Sequence, residues 1–577
     1  MYNFEEPFCN PPYTDLLSVY SQSFSDNFSL PALTDYISGK TISYGDMARR
    51  IARLHLFFEL AGIHPGDKIA LYGKNTPNWV IAFMATITYG AVIVPVLHDF
   101  NPVDASHIIN HSDSVLLFVS DGLFQNLEYE TMPQVRAVIS LDSRTVVAEH
   151  APASSGKRSV LSHGSIVSGL TRRFRKRYPD GFRREDIHYG TFPGESTAVI
   201  NYTSGTTGYS KGVMLSLDNL RGNVVYGIRS NLHYQGSRAL SFLPLAHAYG
   251  CAFDMLVPLA VGSHVTLLGK TPTPALLLKA MRQVKPSLII CVPLILEKIY
   301  RKVVVPQITK SPVRWVVALP LLDKAVYSLI RSRLVEAFGG AFEEIIVGGA
   351  ALNPEVEEFL HRIRFPFTVG YGMTECGPLI SYSPWRRFRP GSAGRTLRGI
   401  MEAKILQDET LGLAGGKYPQ GEIMVRGLNV MKGYYKNPDA TEGVLEEDGW
   451  LHTGDMGWIG PDSRTVNIRG RYKTMILTAN GQNIYPEEIE AKLSNMPYVN
   501  ECLVVERDGR LVALCHPDAD QVQRDGLDNA KLEEAMEANR RSLNKIVAPY
   551  EQVQAIELMP DEFEKTPKRS IRRFLYK

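Results

Sequence analysis

The stretch Tyr202-Thr-Ser-Gly-Thr-Thr-Gly-Tyr-Ser-Lys-Gly212 constrains this chain more than any other. It lies between two apolar runs, Ala198-Val-Ile200 and Val213-Met-Leu215. The pattern predicts a strand, a loop of hydroxyls and glycines, and a second strand. Glycines let backbone N–H groups turn toward a ligand, hydroxyls donate to oxygens, and an ammonium neutralises charge. The ligand that best suits such a loop is a polyphosphate. A Walker loop is excluded, because Gly205 is not followed at the required spacing by Gly-Lys-Ser/Thr. Composition alone would equally allow a plain polar hairpin.

The string resembles, residue for residue, the phosphate loop of the adenylate-forming (AMP-binding) superfamily, and the rest of the chain is most similar to its long-chain fatty acid–CoA ligases. The resemblance implies ATP contacts from Ser204, Gly205, Thr206, Thr207 and Gly208, with Lys211 beside the phosphates. It covers the chain from about residue 40 to the C-terminus.

The 577 residues allow one large lobe plus a smaller one. A net charge of only +3 argues against a nucleic-acid binder, which shows a concentrated basic excess. Six scattered cysteines (Cys9, Cys251, Cys291, Cys376, Cys502, Cys515) point to reduced thiols in a cytoplasmic protein, not to a disulfide scaffold or zinc site. No basic, apolar leader is expected, since Glu5 and Glu6 precede any apolar stretch. From Thr76 to Leu97 there is no charge, but Gly90 and Pro95 interrupt the run. It is expected to be a buried helix followed by a strand, not a membrane span.

Helical and strand patterns alternate from Ile42 to Val119, which implies a parallel sheet covered by helices. Residues 150 to 190 are the least structured by composition. Their basic run, Arg172-Arg-Phe-Arg-Lys-Arg-Tyr178, is expected to be a solvated helix face, the alternative being peripheral attraction to anionic lipid on the inner face of a membrane. The region from Gly391 to Gly470 reads as a small β-unit, and the last hundred residues as a small α+β lobe. The fold class expected is therefore α/β: a large N-terminal lobe of helix-covered sheets (1–472) with its β-unit, then a small mobile C-terminal lobe (473–577).

Further motifs match the superfamily in order and spacing. Ser241-Phe-Leu-Pro-Leu-Ala-His247 resembles the stretch bordering the acyl pocket, and His247 would shape or gate it. Val292-Pro-Leu-Ile-Leu-Glu-Lys-Ile-Tyr300 is similar to a signature of the long-chain enzymes, and the segment from Pro320 to Phe338 fits the insertion they carry. By resemblance, Gly349, Ala350 and Ala351, with Gly370, Tyr371, Gly372, Met373 and Thr374, enclose adenine, Tyr371 stacking on it. Glu375 and Thr203 would hold Mg²⁺, since a carboxylate beside triphosphate requires a cation between them. Asp455, read as an exposed carboxylate on a turn, and Arg471 would bind the ribose; Lys473 would be the hinge, and the Gly481 turn would approach the pantetheine arm of CoA. The C-terminus departs from the pattern. Aligned on Thr566 and Ile571, the usual catalytic lysine position holds Ser570, and Lys568 is the substitute cation, with Arg569 the alternative.

The implied activity is ATP-dependent formation of an acyl-adenylate, then of acyl-CoA, from a long-chain fatty acid. Alternatives are acyl loading onto a carrier protein, activation of another carboxylate, or a non-catalytic nucleotide- or acyl-binding homologue. No obligate protein partner is evident.

Overall fold

A computed structural model describes residues 15–150, 163–203, 211–304, 322–407, 418–477, 483–507, 509–565 and 571–576. Its centre is an eight-stranded sheet in the order Gly433–Tyr434, Lys211–Ser216, Thr197–Thr203, Val92–Val96, Lys68–Tyr72, Ser114–Val119, Ala137–Ser140, Val146–Glu149. The strands from Thr197–Thr203 to Ala137–Ser140 are mutually parallel, and the outer ones antiparallel. The parallel portion follows from right-sized crossovers. Helix Pro77–Thr88 starts on a Thr76 cap and a first-turn proline, then Gly90 (φ +82°) turns the chain into strand Val92–Val96. Every residue from Trp79 to Thr88 on that helix is buried, so the uncharged run is core, as its interruptions implied. Among the described residues, no helix is long and apolar enough to cross a membrane.

Two smaller sheets carry site-bearing segments. One has the order Arg238–Ser241, His264–Leu267, Pro31–Asp35, Thr41–Ser43; the other is the parallel trio Leu288–Cys291, Glu344–Val347, Phe367–Val369. The expected β-unit is an antiparallel sheet, Met401–Leu406, Gln420–Gly427, Leu451–Ile459, Val466–Arg471. The expected small α+β segment follows, with Val499–Arg507, Arg510–Pro517 and Ala555–Leu558 packed against helices Pro486–Leu493 and Asn529–Ile546. One hydrophobic core gathers buried residues from Leu16 to Val466, and another from Ile484 to Val553. Between them run polar ties. Arg301 donates to the Ser494 carbonyl (2.7 Å), and Asn353 Nδ2 to the Ala491 carbonyl (3.0 Å) and Asn495 Oδ1 (2.9 Å).

Of the stretch from 150 to 190, residue 150 and residues 163–190 are described, and they include a helix. Residues His163–Arg177 form a helix that lies against helix Tyr44–Leu60. Its basic side chains Arg172, Arg173, Arg175 and Lys176 are exposed, the solvated face expected. Within the segment from 320 to 338, the described residues form helix Leu322–Ala337. The cysteines described, Cys251, Cys291, Cys376, Cys502 and Cys515, are free and buried.

Candidate functional site

The hairpin forms as its apolar flanks require. Strand Thr197–Thr203 pairs antiparallel with Lys211–Ser216, and the last pair, Thr203 with Lys211, closes on the loop. The Thr203 hydroxyl reaches the Lys211 carbonyl at 3.5 Å. Ser204, Gly205, Thr206, Thr207 and Gly208 lie outside the described residues, as do Gly481 and Lys568. An isolated bridge pairs Lys565 with Ile571, the described residues flanking Lys568.

Tyr434, absent from the sequence reading, joins the hairpin to the predicted metal ligand. Its backbone pairs with Val213, its ring lies 4.8 Å from the Lys211 ammonium, and its hydroxyl donates to Glu375 Oε1 at 2.9 Å. Burial first, then the Glu375 carboxylate, push its phenol well above the usual tyrosine range. Nothing local in sequence marks such a residue, because its partners are set by strand pairing. Glu375 itself sits on the short helical turn Thr374–Cys376, closed by Gly377 in the left-handed region (φ +60°). Buried Asn223 pins this turn, donating to the Cys376 carbonyl (3.3 Å) and accepting from Leu379 N–H (2.9 Å).

Parallel pairing of Val347 with Val369 brings the two glycine segments side by side, and Gly370 N–H donates to the Val347 carbonyl at 2.9 Å. Gly349 (φ +85°), Ala350 and Ala351 are exposed at the strand end, and a Cβ on Gly349 would come no nearer than 3.8 Å to Val292. At Gly372 the constraint is opposite, since a Cβ would stand 2.1 Å from the Pro378 carbonyl oxygen. Met373 accepts this turn by donating its N–H to the same carbonyl, and Thr374 begins the Glu375 turn.

The ribose candidates require a correction. Asp455 is neither exposed nor on a turn; it is 4% exposed inside strand Leu451–Ile459. Gly454 (φ +70°) imitates a turn signal, but the ladder with Gln420–Gly427 has pairs on both sides of it, and the ladder with Val466–Arg471 faces Asp455 with Arg471. Asp455 Oδ1 is 2.8 Å from Arg471 Nε, and Oδ2 accepts from the Tyr371 hydroxyl at 2.7 Å. Burial pushes the Asp455 carboxyl up, while Arg471 and Tyr371 act against it. Glu375 lies near enough to Asp455 and Arg471 to bear on both electrostatically. Tyr371, assigned to stacking, is 7% exposed with its hydroxyl engaged by Asp455.

His247 is half-buried and caps the turn Ala248–Gly250, its Nδ1 accepting from Tyr249 N–H at 3.3 Å. Tyr249 in turn donates to the Ile346 carbonyl (2.9 Å), on the strand that leads to Gly349. Asn201 of the hairpin donates to the Ala246 carbonyl (2.9 Å). The His247 segment is thus tied to both the nucleotide strands and the hairpin. Lys473 lies on the exposed turn Tyr472–Thr474, directly after the β-unit.

A family profile described as AMP-binding enzyme matches residues 25–435. The chain belongs to the AMP-binding enzyme family. As such it is an adenylate-forming ligase that activates a carboxylate with ATP. Among curated relatives, the chain is 30% identical over 509 residues to Long chain acyl-CoA synthetase 6, peroxisomal, of Arabidopsis thaliana, covering 83% of this chain and 69% of that one. It is 27% identical to Long-chain-fatty-acid--[acyl-carrier-protein] ligase AEE15, chloroplastic, of the same plant, covering 84% and 73%. The fold matches the anthranilate CoA ligase AuaEII in complex with anthranoyl-AMP (TM-score 0.75, 17% identity, 98% and 97% covered). It also matches ATP-bound MatB from Rhodopseudomonas palustris (TM-score 0.73, 21% identity, 98% of each chain covered). These AMP-binding enzymes share a large N-terminal and a small C-terminal domain.

Proposed function

We propose that this AMP-binding enzyme converts long-chain fatty acids to acyl-CoA through an acyl-adenylate. The observation that carries the reading is two sets of contacts near enough to act on each other electrostatically: Lys211 over Tyr434 with Tyr434 on Glu375, and Asp455 held by Arg471 and Tyr371. In this reading Lys211 faces the phosphates and Asp455 the ribose of one nucleotide. Attack of the fatty carboxylate on the α-phosphorus of ATP expels pyrophosphate; attack of the thiol on the acyl carbon then expels AMP. The first step is served by positioning and charge neutralisation from the hairpin, Lys211 and Lys568. Glu375 and Thr203 offer hard oxygen donors beside the hairpin, a set that suits Mg²⁺ shared with phosphate oxygens. The ion, when bound, neutralises phosphate charge. The buried acid Asp455 accepts from the ribose hydroxyls on the side that Tyr371 and Arg471 leave open.

The lobes divide at Lys473 in this reading, a boundary supported by the separate cores. Rotation there brings Lys568 in for adenylation and the Gly481 turn in for the thiol. The enzyme acts in the cytoplasm, where the exposed basic helix face can meet anionic lipid. Long-chain acids are favoured by the relatives' names and by the helix Leu322–Ala337 at the expected insertion. A carrier protein as thiol acceptor is the second reading, favoured by the likeness to a carrier-protein ligase. The test measures pyrophosphate release with ATP across short, long and aromatic acids, then supplies CoA or carrier protein. Release that peaks with long-chain acids and thioester formed on CoA support the proposal. The absence of release with any acid points to a non-catalytic homologue.

A further inference from the structure

The central sheet splits at one seam. Strand Val92–Val96 pairs with Lys68–Tyr72 along its whole length, and Thr197–Thr203 with Lys211–Ser216 likewise, but the two halves join only through Ile93 and Val199. Beside this seam, lined by the Lys68, Val92 and Thr197 ends of the strands, lies a wedge of space, a cavity of about 410 Å³. That lies within the range of about 300–1,000 Å³ typical of small-molecule sites.

Its walls are apolar: Ile87, Val92, Phe192, Ile200 and Met214. Gly90 makes room for the Phe192 ring, since a Cβ there would stand 2.3 Å from it. The polar residues on the lining are Lys68, Ser196, Thr197 and Tyr435. No residue of the His247 segment lines this cavity, so it is separate from the predicted acyl pocket.

Lys68 is the cation on the lining, and its charge acts on Asp113; the acids Asp67, Glu195 and Asp218 adjoin lining residues in the chain. Asp113 is already engaged by the Tyr435 hydroxyl (2.7 Å) and the Lys436 ammonium (2.8 Å). The Lys68 ammonium stands 5.7 Å from the Tyr435 ring centre. No hydrogen bond joins it to a carboxylate among the described residues. An apolar wedge with an ammonium that makes no hydrogen bond to a carboxylate among the described residues fits a ligand that is an aliphatic chain with an anionic head.

We propose that this wedge is a binding site for an aliphatic carboxylate, its head on Lys68 and its chain along Ile87, Val92, Ile200 and Met214. The site lies under the strands that carry the phosphate loop and is distinct from the site at which the acid is activated. The inference goes beyond the proposed activity and does not rest on it.

A dodecanoic acid bearing a terminal diazirine tests it on the full chain without ATP, with labelled peptides mapped by mass spectrometry. Label is expected on peptides holding Ile87–Val92 and on those holding Ile200 or Met214. The neutral dodecanol analogue should label them about tenfold less, as should Lys68→Met with acid, because each lacks the ion pair. Thermal midpoints of parent and variant establish that Lys68→Met is folded, and the two-probe comparison on the parent needs no variant. Label confined to peptides near His247, or equal label from acid and alcohol, overturns the proposal. Failure of acid-dependent pyrophosphate release would leave this labelling result unaffected.

Discussion

The most informative perturbation is Asp455→Asn. Two partners hold the carboxylate, and they contribute unequally. The Arg471 side chain is 59% exposed, so solvent screens that pair, and its net value is about 0–1 kcal/mol. The Tyr371 bond is buried, and a hydrogen bond to a charged group is worth about 1.5–3 kcal/mol. Asparagine keeps an acceptor oxygen for Tyr371 but loses the charge offered to the ribose. Replacement by alanine would also leave a buried phenol unpaired, costing about 1–3 kcal/mol in stability and confusing the result. The asparagine variant should therefore keep its urea midpoint close to the parent's. Its affinity for AMP should fall roughly ten- to hundredfold, the equivalent of about 1.5–3 kcal/mol. Calorimetric titration with AMP reads the affinity, and urea unfolding reads the fold. Parent-like AMP affinity in a stably folded variant would refute the ribose assignment.

The remaining predictions concern pH, the hinge and the C-terminal cation. Burial raises the Glu357 carboxyl to about 7, against the hydrogen bond from Gly391 N–H. The folded state then binds the proton more tightly than the unfolded state, so this group's contribution is full below the unfolded value of about 4.5 and is lost as pH rises through about 7. Glu357→Gln should flatten that fall and stabilise the protein at pH 8 by on the order of 1–3 kcal/mol; parallel stability–pH curves for parent and variant would contradict it. Lys473→Pro fixes φ on the turn Tyr472–Thr474 and should depress one half-reaction far more than the other. Equal loss in both, measured as pyrophosphate release and as thioester formed from supplied acyl-adenylate, would mean the turn is no hinge. Lys568→Ala should slow adenylate formation at least about tenfold, near 1.4 kcal/mol, and spare thioester formation. The same signature from Arg569→Ala instead would move the assignment by one residue.

Sequence by itself determined the elements and the family. Period and punctuation are local, so strand–loop–strand at Thr203 to Lys211, helix then strand after Thr76, and Pro486 opening a helix were all legible before any coordinates. What tertiary structure decided is the company each residue keeps. Asp455 follows a glycine and looks like a surface turn, yet cross-strand register buries it against Arg471 and Tyr371. Tyr434 carries no motif, and it meets Glu375 only because Gly433–Tyr434 adds to the edge of the hairpin. Cys502 and Cys515 show no paired spacing, yet strand register sets them opposite one another. The wedge beside the hairpin has no sequence signal either, since its lining comes from segments as far apart in the chain as Lys68, Val92, Thr197 and Tyr435. Spacing along the chain encodes which face a side chain takes; the partner across a sheet is chosen by register and packing, which no single segment contains.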